Sequence, residues 1–343
     1  MRPTPEHRFD APPGYLNTAS IGIPPAFVAD AVSDSITRWR TGADAAPDFD
    51  EHVAQARAGF AALVGVPPEQ VASGASVSQL VALVAGSIPD GTRVLTVSDD
   101  FTSVTFPFAA QAHRGITVTE IELEKLASTV DQADLIAVSL VQSATGAVLD
   151  TSVLREATSA AGVPVLLDVS QAAGWLPLSL DWADWVVGAA YKWLLSPRGA
   201  AWLAVRPDAL ERTRPLAANW YAGEDPWASI YGLPLRLASD ARRLDLSPAW
   251  LAQVGAAAAI PWLAGLDLGA VRDHCLGLAN AVRRGLELPE GGSAITSLAL
   301  STDQIGRLRA AGVRFSMRAG RARLSFHLYN TAADVDLVLD ALT

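Results

Sequence analysis

With one cysteine, Cys275, in 343 residues, the chain can form no internal disulfide and no metal site built from several thiolates. Nowhere do more than two lysines or arginines stand together, and acids outnumber bases by 36 to 26. Nucleic acid is therefore not an expected partner, because phosphate binding needs a concentrated positive face. No Gly-x-Gly-x-x-Gly follows an apolar run, so the dinucleotide-binding fingerprint is missing. Long apolar runs are missing too. The best candidate, residues 250–271, is interrupted by Gln253, Pro261 and Asp267 and reads as a buried helix, not a membrane span. Met1 to Gly14 is polar and proline-rich with no apolar core, which predicts no secretory signal and a cytoplasmic protein. With half its residues hydrophobic and only 18% charged, the chain is not a disordered one.

What is present is an alternation of short apolar runs with amphipathic stretches. Residues 93–97, 135–140, 165–167, 185–187 and 201–205 are rich in Val, Leu and Ile without polar alternation, as strands buried on both faces should be. Helix-like segments at 77–86, 102–113 and 152–161 lie between them, which predicts a mostly parallel α/β sheet with helices on both faces. The last third differs. Residues 321–328 alternate like a half-exposed strand, 298–300 and 313–316 are further strand candidates, and Asn330-Thr331 precedes a helix with Val335, Val338, Leu339 and Leu342 on one face. We expect a large domain over 15–248 and a small α+β domain over 249–343, with segment 1–14 joined to it and the crossing at 245–250.

Three elements carry chemistry. Asp168 ends the apolar run Val165–Leu167, and open α/β sheets bind ligands beyond the carboxyl ends of their strands. Lys192 follows 24 residues later, after the run 185–187, among apolar neighbours that would lower the pKa of its amine and make it a nucleophile. Ser73-Gly74-Ala75-Ser76 leads into a helix whose free N–H groups could hold a phosphate. Singly, each has an ordinary structural alternative: a capping aspartate, a lysine reaching the surface, a plain helix cap.

Together they resemble the class V aminotransferase group of fold-type I pyridoxal-phosphate (PLP) enzymes, which includes cysteine desulfurases, kynureninases and isopenicillin N epimerase. The resemblance runs from Tyr15-Leu-Asn-Thr-Ala-Ser-Ile-Gly to Arg323-Leu-Ser-Phe-His-Leu-Tyr-Asn-Thr331. It implies pyridoxal 5'-phosphate as cofactor, Lys192 as its Schiff-base lysine, and Asp168 as partner of the pyridine nitrogen. It also implies Gln171 and Ser143 at the phenolic oxygen, Phe101 stacked on the ring, and Gly74, Ala75, Ser76 and Tyr191 at the phosphate. Ser247 would reach the phosphate of a partner subunit, so a homodimer is expected. Arg323 would bind the substrate carboxylate, with Ser20 and His327 beside it and Arg236 or Arg318 as alternatives; Trp220 and Tyr221 read equally as walls of the substrate pocket or as aromatic core.

Two departures bear on the reaction. Residues 311–323, where desulfurases carry their reactive cysteine, contain none, and the serine often found three residues before the lysine is Ala189. The resemblance thus implies an enzyme acting on a small amino acid, best read as an aminotransferase. The alternatives are a C–S or other β-eliminating lyase, less readily a cysteine desulfurase or epimerase, or a PLP-binding module without catalysis. His327, four residues from Arg323 and expected on the same strand face, is the one acid candidate for elimination.

Overall fold

A computed structural model describes residues 8–342, so residues 1–7 of the expected signal-free amino terminus lie outside it. Two helices open the fold, α1 (Ala26–Thr41) and α2 (Asp50–Val64). The sheet follows as β1 (Val71–Gly74), α3 (Val77–Ala85), β2 (Arg93–Val97), α4 (Thr102–Ala109), β3 (Thr117–Ile121), β4 (Leu135–Ser139), α5 (Thr151–Ala161), β5 (Val165–Asp168), β6 (Trp185–Ala189) and β7 (Ala201–Val205). Beyond the short α6 (Pro207–Leu210) the chain has no helix beyond short 3-10 turns until α7 (Trp250–Ala264). It ends with α8 (Leu268–Gly285), β8 (Ile295–Leu298), α9 (Thr302–Ala310), β9 (Ser316–Arg318), β10 (Arg321–Ser325) and α10 (Ala332–Leu342).

Seven strands form one sheet in the order β1-β7-β6-β5-β4-β2-β3, all parallel except β7, which runs against both neighbours. Alternate residues feed different cores, as the period of two requires. Ile136, Val138, Leu167, Val186 and Trp202 pack toward α2 and α7, whereas Leu135, Ala137, Leu166, Val187 and Leu203 pack toward α3 and α4. The fold is therefore the expected fold-type I α/β architecture. A second, antiparallel sheet, β8-β10-β9, covers a third core with Val282, Leu308, Leu324 and Val338.

The differences from the sequence reading have local causes. Edge strand β3 has no counterpart in the sequence reading, because all five of its residues are at least partly exposed and it lacks a buried run. Strands expected at 298–300 and 313–316 form instead at Ile295–Leu298 and Ser316–Arg318. The apolar stretch after residue 250 is buried, as expected, but α7 packs on α1 and α2 and shares the core of the large sheet through Ala256, Ala259, Ile260 and Leu263. Helix α8 leaves it at 93°, and no single helix among the described residues is long and apolar enough to cross a membrane.

One buried ion pair ties the stretch between α6 and α7 to the sheet. Arg57 of α2 donates to both oxygens of Asp245 (3.0 and 2.6 Å), and Asp245 also accepts the N–H of Ser73 at 2.7 Å. The Leu246 N–H returns a bond to the Ser73 carbonyl at 2.9 Å. The pair thereby fixes the end of β1, where the Gly74–Ser76 turn begins. Asp245→Ala leaves a buried guanidinium without its partner, and we expect a loss of about 3–5 kcal/mol in unfolding free energy by urea titration. The double variant Arg57→Met, Asp245→Leu should lose clearly less; equal losses would mean that packing, not the unpaired charge, sets the cost.

Candidate active site

Asp168 is the last residue of β5, and the turn after it folds back so that the Ser170 N–H donates to Asp168 Oδ1 at 2.7 Å. Burial pushes its pKa up, opposed by the Ser170 bond and by the positive charge of Lys192. Lys192 lies three residues beyond β6 and is 6% exposed. Desolvation brings its pKa down to about 8; Asp168 acts against this, while Arg323, Arg318 and Arg198 push it lower. Its Nζ stands 5.0 Å from the ring centre of Phe101 and 5.7 Å from that of Tyr191.

Phe101 owes its place to a residue the sequence reading passed over. Asp100, in the turn between β2 and α4, accepts the N–H of Phe101 (2.6 Å) through one oxygen and that of Ser139 at the end of β4 (2.7 Å) through the other. Gln171 is held as firmly. Its Oε1 accepts from Trp193 Nε1 at 2.7 Å, and its Nε2 donates to the Ala19 carbonyl at 3.0 Å and to Ser143 Oγ at 3.2 Å. For Gln171 to donate to a ligand, the longer bond to Ser143 is the one to exchange. Across the site, the turn Gly74-Ala75-Ser76 joins β1 to α3, and Ser76 caps that helix by accepting the Gln79 N–H at 3.4 Å.

The opposite wall comes from the small sheet and the amino-terminal segment. Residues 15–17 run beside β10 and Arg314, which delivers Ala19 and Ser20 to the site. Gly22 then passes so close to Lys192 that a Cβ would lie 2.0 Å from the Lys192 carbonyl oxygen, and its N–H donates to the Tyr191 carbonyl at 2.9 Å. Arg323 of β10 is 1% exposed. Its guanidinium donates to Ser316 Oγ (3.0 Å), Ser143 O (2.6 Å), Ser143 Oγ (3.0 Å) and Ser20 Oγ (2.8 Å). Every one of these acceptors is neutral. Burial, reinforced by the like charge of Arg318, lowers the Arg323 pKa to about 10.

Other expected residues fall elsewhere. Strand β10 stops at Ser325, so His327 lies outside it and the shared face with Arg323 does not exist. His327 is fully buried behind Trp193, placing Nε2 2.9 Å from the Trp193 carbonyl, and desolvation lowers its pKa to about 4. That placement packs it in the interior and gives no support to the acid and substrate-binding roles expected of it. Ser247 is exposed on this chain. Trp220 and Tyr221 join Trp227 in a cluster in which Tyr221 and Trp227 donate to Asp50, so they brace the start of α2. Cys275 is buried in α8, and burial pushes its thiol pKa up, away from nucleophilic use.

The donor set fits pyridoxal phosphate: a desolvated amine, a buried carboxylate at a neighbouring strand end, an aromatic face, and a small-residue turn opening a helix. Comparison with known proteins agrees. The sequence model of the family described as Aminotransferase class-V matches residues 24–298. The chain is 29% identical over 309 residues to an uncharacterized aminotransferase, YcbU, of Bacillus subtilis, covering 84% of this chain and 82% of that protein. It is also 29% identical over 338 residues to the isopenicillin N epimerase of Streptomyces clavuligerus, covering 84% and 83%. Among solved structures, the cystine C–S lyase C-DES superposes with a TM-score of 0.85 at 19% identity, over 97% of both chains.

The fold is that of fold-type I PLP enzymes. The chain belongs to the class V aminotransferase family, and pyridoxal phosphate is its cofactor.

The depressed pKa of Lys192 gives a test. Only the unprotonated amine captures the cofactor, so with the protein initially free of cofactor the capture rate should climb up to about pH 8 and level off above it. Borohydride should then fix the pyridoxyl mass on Lys192 alone. A rate still climbing at pH 10, or label on Lys125, would contradict the assignment.

Proposed function

We propose that the chain is an aminotransferase that binds a small amino acid between Lys192 and Arg323. One observation carries this reading: Arg323 is buried, faces the site, and is surrounded only by hydroxyl and carbonyl oxygens. A buried cation without a counterion is costly, and a ligand carboxylate would supply the missing charge at the terminal N–H that the serines leave open. Pyridoxal phosphate, when bound, supplies an electron sink for a carbanion at the substrate α-carbon. In this reading Lys192 carries the cofactor and, once released, moves the α-proton. Asp168 keeps the pyridine nitrogen protonated, and Phe101 supports the ring face. Gly74, Ala75, Ser76 and Tyr191 hold the phosphate, and Gln171 and Ser143 serve the phenolic oxygen.

The same reading has two copies acting together, with Ser247 of each reaching the other's phosphate. The exposed apolar run containing Ile230, Tyr231, Leu233 and Leu235 supports this, since such a surface favours a covering partner.

Transamination is favoured over β-elimination because, among the described residues, neither Phe101, whose ring lies nearest Lys192 Nζ, nor His327 can protonate a departing group, and the reading commits Tyr191 to the phosphate. Phenylalanine occupies position 101, and His327 is sealed behind Trp193. Stoichiometry separates the two. Without an acceptor, transamination gives one keto acid per site and stops, and an added 2-oxo acid restores the original cofactor absorbance. Ammonia and keto acid accumulating far beyond one equivalent without acceptor would refute the aminotransferase reading.

A further inference from the structure

The small sheet places three arginines on one face. In the antiparallel register Arg323 lies opposite Ser316 on one side and Ser297 on the other, and Arg321 lies opposite Arg318. Cross-strand partners share a face, so Ser297, Ser316, Arg318, Arg321 and Arg323 all stand on the side away from the Leu298, Ala322 and Leu324 core. Among the described residues none of the three arginines has a carboxylate within ion-pairing distance.

Their donors are used differently. Arg321 spends its fork on Ser297, donating from Nε to Oγ and from a terminal nitrogen to the carbonyl, both at 3.0 Å. Arg323 is committed to Ser20, Ser143 and Ser316. Arg318 makes one bond, to the Met317 carbonyl at 2.7 Å, and is otherwise open to solvent. It is the diagonal neighbour of Arg323 across the hairpin, which sets their Cα atoms about 7–8 Å apart. Its charge also reaches the reactive groups, pushing the pKa of both Lys192 and Arg323 down. Two arginines at diagonal positions on one sheet face, one buried and one at the solvent side, can bracket a short ligand that is anionic at both ends.

We infer that the preferred substrate is an acidic amino acid, whose side-chain carboxylate or sulfinate is taken by Arg318 while Arg323 takes the α-carboxylate. This rests on the reading that Arg323 is the α-carboxylate site.

The test uses the PLP-loaded enzyme and its cofactor absorbance, titrated with L-aspartate, L-glutamate and L-cysteine sulfinate and with the isosteric neutral L-asparagine and L-glutamine. Acidic amino acids should bind at least about tenfold more tightly than their neutral isosteres, the range of a charge-assisted contact. The advantage should shrink at high salt, because Arg318 is exposed. Arg318→Gln should bring the acidic-to-neutral ratio close to one, and Arg318→Lys should restore part of it. Which acidic member leads tells carboxylate from sulfinate. A parent enzyme without acidic preference, or an Arg318→Gln variant that keeps it, overturns the inference while leaving the amino-acid reading in place. If no amino acid perturbs the absorbance, the amino-acid reading falls and this inference falls with it.

Discussion

The contact between Arg323 and its ring of neutral oxygens organises the site. Three separate parts of the chain meet on that guanidinium: Ser20 from the amino-terminal segment, Ser143 from the loop after β4, and Ser316 from the β9–β10 hairpin. None brings a negative charge. A buried cation in such a shell is hydrogen-bonded yet electrostatically incomplete, and completing it with an acidic side chain would abolish the anion site. The small sheet, the parallel course of residues 15–17 beside it, and the tight passage of Gly22 past Lys192 all bring this guanidinium to the large sheet.

Lys192 and Asp168 form the other half of the same electrostatic arrangement. Both are buried at the carboxyl ends of adjacent parallel strands, and burial moves each pKa toward the neutral form. Their mutual attraction limits the shift, whereas the arginines facing Lys192 extend it. An amine that titrates near 8 is unprotonated far more often at neutral pH than an ordinary lysine, and that form is the nucleophile. The carboxylate needs the opposite outcome and is helped by the Ser170 N–H. Around them Trp193 locks the Gln171 side chain, and Asp100 fixes the backbone that carries Phe101.

Much of this was legible in the sequence wherever one residue type sits in one strongly patterned context. The short, Val- and Leu-rich apolar runs of β4 to β7 read as doubly buried strands, and Asp168 and Lys192 stand out because charge at the end of such runs is unusual. Position by position, the resemblance to class V enzymes pointed to Arg323, Ser20 and Ser143, which the fold brings together. What escaped depends on register. Ser316 matters because the hairpin sets it opposite Arg323, and no local pattern announces that pairing. His327 misled because the alternation of residues 321–328 reads as one strand, whereas the chain leaves the sheet at Ser325. Asp100 escaped because its role is to bind two backbone N–H groups, one at the start of α4 and one at the end of β4, and only the fold brings Ser139 to it.

The claim that Arg323 is an anion site awaiting a substrate carboxylate is tested most directly by comparing ligands with and without that group. Cofactor absorbance would be titrated with amino acids and with the corresponding amines lacking the carboxylate, in the parent enzyme and in Arg323→Gln. The account predicts that the variant loses about 2–5 kcal/mol of affinity for amino acids and almost none for the amines. Equal losses for both ligands, or undiminished amino-acid binding, would contradict it.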